Sequence, residues 1–193
     1  PPGDAERMAA TLGHTIVEPR GSLVPLVSND DCCRHMQGLS LKNVELTVYN
    51  GKNKLVFREF GEMLFTHFGV SGPLVLSASA HLRDWGKEQY RLSIDLKPAL
   101  DQQKLEARIL RDISESPNRD VEKLLCGLVP HSMAPVMTRR LGFPPTLKAN
   151  SLTKEQRRGL IELLKHFTIS VTGVRPVTEA IVTAGGGKVC AGR

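Results

Sequence analysis

Aromatic residues are scarce in this sequence: one tryptophan, two tyrosines and six phenylalanines among 193 positions. Cysteine is scarcer. Cys32, Cys33, Cys126 and Cys190 make neither a C-x-x-C pair nor a regular framework, which argues against structural zinc and a disulfide scaffold and leaves free thiols in a reducing compartment. No apolar run approaches the ~20 residues that span a bilayer, and no basic-then-apolar opening of a signal peptide is present. The expected compartment is the cytoplasm, with no membrane partner. No G-x-G-x-x-G occurs, so nothing here binds a dinucleotide in the Rossmann manner. The six histidines show no H-E-x-x-H or other metal spacing. Two near-misses fail letter by letter. Gly69-Val70-Ser71-Gly72-Pro73 ends in proline where a nucleophile elbow needs glycine, and His67 near Ser71 has no acid partner for a triad. Gly187-Lys188 is followed by Val189 and preceded at the needed position by Val182, so it is not a phosphate-binding Walker loop.

What remains is an ordinary globular composition, 40% hydrophobic and 24% charged, long enough for one sizeable domain or two small ones. The formal charge is +6, and residues 101–166 hold twelve Lys/Arg against eight Asp/Glu, which places +4 of it there. Such a segment attracts nucleic acid or is simply a set of solvated helix faces.

In chain order, residues 4–12 read as a helix ended by Gly13. Ile16-Val17 and Leu23 to Val27 read as short strands broken by Pro19, Gly21 and Pro25. Val44, Leu46 and Val48 alternate with Glu45, Thr47 and Tyr49, the period of a half-buried strand. Asn50-Gly51 then predicts a two-residue turn, setting Leu46 opposite Leu55 and Val44 opposite Phe57. Phe57, Phe60, Phe65 and Phe68 read as core of the β-domain. Leu74 to Leu82 reads as a small-residue helix, and Arg91 to Leu96 as a strand with Leu92, Ile94 and Leu96 on one face. From Leu100 the apolar spacing turns helical, through Leu105, Ile109, Leu110 and Ile113 and then Val121, Leu124, Leu125, Leu128 and Val129. A third helix lies near 132–141, and Thr153 with Gln156 resembles a capping box opening a fourth. Strands return after Phe167. A helical block bracketed by strands reads as an insertion into a β-domain, an α+β chain in two parts.

The chain is organised around Gly61 to Pro73. Gly69 and Gly72 permit positive φ or close approach of another group. Pro73 suits the first turn of a helix, with Ser71 or Gly72 as N-cap. Thr66, His67 and Ser71 set polar side chains beside that helix start, where N–H groups favour a ligand's negative charge; alternatively they cap the helix and satisfy buried backbone. Arg175, in the turn Thr172-Gly173-Val174-Arg175-Pro176, offers one guanidinium to a carboxylate or phosphate, or is a solvated turn arginine.

Gly61-Glu-Met-Leu-Phe-Thr-His-Phe-Gly-Val-Ser-Gly-Pro73 resembles the hallmark segment of the BaiN-type (YhiN-type) flavoproteins, NAD(P)/FAD-dependent oxidoreductases. Leu12 to Val17, Ser22 to Leu26, Gln37 to Val44, Ser93 to Pro98 and Val171 to Pro176 resemble the same family, in order, over nearly the whole chain. The resemblance implies an insert, an antiparallel β-barrel-like domain carrying a small helical bundle, that interrupts a FAD-binding Rossmann domain. Residues 1–14 would be a helix left from the flavin domain, 15–100 with 167–183 the barrel, 101–166 the bundle, and 184–193 the re-entry. Ala5 departs from the family's second glycine after Gly3-Asp4, and Ala184-Gly185-Gly186 resembles the re-entry into the flavin domain, where the family's third position is less often glycine. The implied partners are the FAD-binding domain of the same polypeptide and a small-molecule substrate. FAD would be bound by the full-length protein and not by this region alone, with NAD(P) as the possible reductant, and this region would be inactive by itself. Thr66, His67, Gly69, Ser71, Gly72 and Arg175 are then the candidates facing substrate or flavin, with no catalytic base assigned. Two other readings stand beside this one. The basic block could be a nucleic-acid-binding module through Arg139-Arg140 and Arg157-Arg158, although its sole aromatic before Phe167 is Phe143. Or the chain is a structural insert.

Overall fold

A computed structural model describes residues 4–83, 85 and 89–187. Cys190 and the end of the expected re-entry segment, 188–193, lie outside the described residues, as do Pro1 to Gly3.

The first helix, α1 (Asp4–Thr11), ends before Gly13, whose φ is +82°. Strand β1 (Ile16–Ser22) follows and pairs antiparallel with β9 (Val182–Gly187), in a two-stranded ladder of its own. All other strands join one antiparallel sheet of seven. These are β2 (Leu26–Val27), β3 (Ser40–Asn50), β4 (Leu55–Thr66), β5 (Gly69–Ser71), β6 (Tyr90–Asp95), β7 (Phe167–Val171) and β8 (Gly173–Val174), in the order β7-β6-β3-β4-β5-β2-β8. The two edge strands, β7 and β8, are separated in the chain by Thr172 alone, whose N–H donates to Val27 O at 2.9 Å. One continuous run therefore supplies both edges, and the sheet must curl toward closure. The chain is α+β, as its pattern predicts.

The β3–β4 hairpin corrects the expected register. Asn50-Gly51 does not make a two-residue turn. The Asn50 side chain accepts from Lys52 N (3.1 Å) and Lys54 N (2.9 Å), and Asn53 takes φ +56°. The loop is four residues long because an asparagine side chain bonding its neighbours' backbone competes with the tight turn, and Asn tolerates the left-handed region. Val48 consequently faces Phe57, Leu46 faces Glu59 and Val44 faces Gly61, while Leu55 is displaced by a bulge and is 52% exposed. Leu46 and Phe57 stay buried because the shift is an even number of residues and preserves the face. Phe60 is a second correction: it is exposed, whereas Phe57 and Phe65 are core and Phe68 is half-buried.

The short helix α2 (Cys32–His35), absent from the sequence expectations, buries both of its cysteines. Helix α3 (Pro73–Ser79) packs on β4, with Leu74 3.2 Å from where a Cβ on Gly61 would stand. Its small residues allow closeness: Ala78 is buried, and Ser79 Oγ accepts from Val24 N at 2.9 Å while donating to Leu76 O. The helical segment comprises α4 (Gln102–Glu115), α5 (Val121–Leu125), α6 (Ala134–Arg140) and α7 (Lys154–Lys165). Helix α7 opens on a capping box with both reciprocal bonds, Gln156 N to Thr153 Oγ1 at 3.2 Å and Thr153 N to Gln156 Oε1 at 3.0 Å. Leu105, Ile109, Leu160 and Leu164 share one buried cluster with Leu92, Ile94, Phe167 and Ile169 of the sheet. A largely covered ion pair, Lys165 with Asp95, reinforces the join, and Lys165 Nζ also donates to the carbonyls of Lys97 and Leu100.

Candidate functional site

Strand β4 turns into β5 through His67 and Phe68, with Thr66 paired to Gly69, Phe65 to Val70 and Leu64 to Ser71. Strand alternation sends Phe65 and Val70 into the core, both 0% exposed, and sets Thr66 and Ser71 on the other face of the hairpin. Both glycines of this stretch answer to the fold. A Cβ on Gly69 (φ +150°) would stand 2.3 Å from Leu26 O and 2.8 Å from Ser28 N, and one on Gly72 (φ +93°) would stand 3.0 Å from Leu64 N. The space is filled by the chain's own backbone. Gly72 is the N-cap of α3, and no side chain caps it, so Ser71 does not serve that role.

The tertiary structure brings Arg175 to this turn from more than a hundred positions away. Its guanidinium lies over the Phe68 ring, 4.7 Å from the centroid, and His67 meets the same ring edge-on at 5.0 Å. Arg175 is not an idle cation. It bonds both oxygens of Glu179, at 3.0 and 2.6 Å, which holds that carboxyl below its ordinary range and the guanidinium above its own. An incoming anion must compete with Glu179. Thr66 Oγ1 is covered and has no hydrogen-bond partner among the described residues, a buried deficit worth about 1–3 kcal/mol. His67 is exposed; Ser71 is half-buried. The turn also sits where the chain leaves the sheet: Arg175 N donates to Pro25 O, Ile181 N to Leu23 O, and β1 and β9 depart from there.

Of the four cations proposed for nucleic acid, two are committed internally. Arg140 donates to Thr168 O at 2.7 Å and lies 4.2 Å over the Phe167 ring, and Arg157 donates to Leu152 O at 2.9 Å. A carbonyl within β7 and one just before α7 each take the nearest guanidinium, a need that adjacent arginines in a sequence do not reveal. Arg139 and Arg158 are exposed.

Two features escape the sequence reading. A groove crosses the polar face of β3, β6 and β7, beginning in a cleft of about 590 Å³ lined by Asn50, Trp85, Tyr90 and Arg91. A second cleft, sharing Arg91 with the first, is lined by Tyr49, Ser93 and His166, with Arg91 5.7 Å from the Tyr49 ring centroid. Cross-strand register builds it, so no local motif announces it. The other is the cysteine pair on α2, with Arg140 Nη2 donating to Cys32 Sγ at 3.1 Å. Among the described residues no cluster of His, Cys, Asp and Glu could hold a metal ion, and no helix is long and apolar enough to cross a membrane.

Comparison with known proteins matches residues 20–182 to the family described as HI0933-like protein barrel and H2TH domain. Among curated proteins the chain is 28% identical over 180 residues to the ribosomal RNA dihydrouridine synthase of Escherichia coli K12, covering 93% of this chain and 42% of that protein. It is 28% identical over 182 residues to the Haemophilus influenzae protein of the same name, again 93% of this chain and 42% of the other. It is 22% identical over 187 residues to the 3-dehydro-bile acid delta(4,6)-reductase of Clostridium scindens, 95% of this chain and 45% of that one. The chain thus spans less than half the length of these relatives. With the family model covering most of its residues, and with a curled seven-stranded sheet joined to a helical block, the chain belongs to the HI0933-like barrel and H2TH domain family.

Proposed function

We propose that this chain is the substrate-side region of a flavin-dependent reductase that adds two hydrogens across a conjugated carbon–carbon double bond. The names of its relatives share that chemistry: dihydrouridine is uridine with its ring double bond reduced, and a delta(4,6)-reductase acts on ring double bonds. One structural observation supports placing the site at the β4–β5 turn. Thr66, His67, Ser71 and Arg175 gather beside the point where the chain passes between the sheet and the separate β1–β9 ladder, so they face whatever the rest of the polypeptide brings there.

The residues present do not fit the flavin itself. The chain has no dinucleotide fingerprint, and Gly69 and Gly72 are closed by its own backbone. FAD is then held by the remainder of the protein. This region contacts the substrate: the exposed His67 supplies a hydrogen bond to a carbonyl conjugated with the double bond, and the Phe68–Arg175 stack walls the turn. Donors held at a carbonyl oxygen polarise the bond and lower the barrier to its reduction.

Between the two acceptors, uridine in structured RNA is favoured over a steroid. The helical segment carries +4, with Arg119, Lys154 and Arg158 exposed, which suits a polyanion. The experiment uses the full-length protein with its flavin reduced and then mixed with a ribosomal RNA transcript or a 3-dehydro bile acid. Reoxidation by the transcript, slowed in His67→Ala and Ser71→Ala with FAD content and Tm unchanged, supports the reading. Reoxidation by the bile acid alone replaces the RNA assignment. Unchanged rates together with a lowered Tm remove these residues from the site.

A further inference from the structure

Cys32 and Cys33 sit at the join between the sheet and the helical segment, a place the proposed reductase does not use. Four elements meet there. Helix α2 supplies the two thiols, 9% and 1% exposed. Helix α6 supplies Arg140, whose side chain bridges to the sheet: Nη2 donates to Cys32 Sγ at 3.1 Å, Nη1 to Thr168 O at 2.7 Å, and the guanidinium covers Phe167. The loop before α2 supplies Asp30, 4.0 Å from Arg140, which also accepts from Ser170 N at 2.9 Å. The groups facing the Cys32 sulfur are therefore one cation, Arg140, one carboxylate, Asp30, and one neutral thiol, Cys33. The hydrogen bond from Cys33 and the Arg140 charge outweigh burial and Asp30, and bring the Cys32 thiol from 9.0 to about 7. The same bond, with burial, pushes Cys33 up and keeps it protonated.

We infer that Cys32 is a site of oxidation by hydroperoxides, its sulfur held against the Arg140 guanidinium at the join of α2, α6 and the sheet. The Cys32 sulfur attacks one oxygen of H–O–O–H; an S–O bond forms, the O–O bond breaks, and hydroxide leaves and is protonated by solvent. Sulfur loses two electrons and the peroxide gains them. The product is a sulfenic acid. Cys33 does not capture it as a disulfide: neighbouring Cα atoms stand ~3.8 Å apart, short of the ~4.4–6.8 Å a disulfide ordinarily spans. Oxidation replaces the anion facing Arg140 by a neutral group, so one of the contacts tying α6 to the sheet is weakened.

Cys126 is the internal control. It is more exposed than Cys32, its sulfur donates to Glu122 O at 3.4 Å, and no guanidinium bonds it among the described residues. The full-length protein is treated with hydrogen peroxide, quenched with catalase, unfolded and alkylated, and each cysteine is read by mass spectrometry. Thiolate chemistry predicts that Cys32 oxidises about fivefold or more faster than Cys126 at pH 7, after discounting the weaker nucleophilicity of an acidic thiol. The Cys32 rate should rise with pH to a midpoint near 7. Arg140→Gln should slow Cys32 and leave Cys126 unchanged, with Arg140→Lys intermediate. Cys126 reacting as fast as Cys32, or no midpoint near neutrality, overturns the inference, and both are read on the unmutated protein.

Discussion

Gly69 and Gly142 both hold positive φ, yet they will not tolerate a methyl group equally. At Gly142 (φ +66°) nothing lies within 4 Å of an added Cβ, so Gly142→Ala should cost only the left-handed penalty of about 1–2 kcal/mol. At Gly69 the Cβ meets Leu26 O of β2 at 2.3 Å and Ser28 N, just after that strand, at 2.8 Å, backbone atoms that cannot swing aside. Gly69→Ala should therefore cost ~3 kcal/mol or more and disturb the pairing of β2 with β5. Urea denaturation of both variants checks the difference. Asp120 tests the charges at the same scale. Lys148 at 2.6 Å and Lys123 at 3.3 Å hold its carboxyl below the ordinary range. A depressed folded value means that the stabilisation is complete above about pH 4 and is lost as pH falls through the folded value. Asp120→Asn should lower Tm at neutral pH and flatten its acid-side decline, as Tm measured against pH will show.

Single bonds at element ends decide how helices and turns begin. Thr153→Ala removes the N-cap of α7 and should cost about 1 kcal/mol, measurable in the same urea titration. The element also holds the sheet to the helical segment through Lys165 near its last turn, so the loss should appear as a lower overall midpoint. Asn50 governs the β3–β4 loop in a comparable way. Asn50→Ala strips the acceptor from Lys52 N and Lys54 N and should cost about 1 kcal/mol. Amide exchange at those two positions should accelerate, and a loop unaffected in exchange would contradict the assignment of Asn50 as its organiser.

At the scale of the molecule, the chain closes its sheet with one run, β7-Thr172-β8, that supplies both edges. The helical segment is clamped to that sheet by a shared apolar cluster and by Arg140 and Lys165. The sequence carries no G-x-G-x-x-G fingerprint for a dinucleotide phosphate. The chain produced alone should therefore be colourless, and a flavin absorbance band surviving gel filtration would overturn the substrate-side reading. The full-length protein should carry FAD.

The α+β class, the helix-period segment from Leu100, the capping box at Thr153 and the glycine demands of 69 and 72 were legible in the sequence, because each rests on neighbours within a few positions. The hairpin register was not, since two rules compete at Asn50-Gly51: the glycine favours a tight turn, and the Asn50 side chain favours a longer one. Phe60 was misread because apolar character was weighed above alternation: it lies three positions from buried Phe57 in unbroken register and so faces outward. The candidate site was half legible. Thr66, His67 and Ser71 lie within six residues, whereas the Phe68–Arg175 stack joins positions far apart in the chain. The burial of Cys32 and Cys33 under Arg140 also belongs to tertiary structure alone. Short-range propensity and spacing set which elements form. Charge pairing, ring contact and register between distant segments exist only once the sheet has curled and brought those segments within a few ångströms.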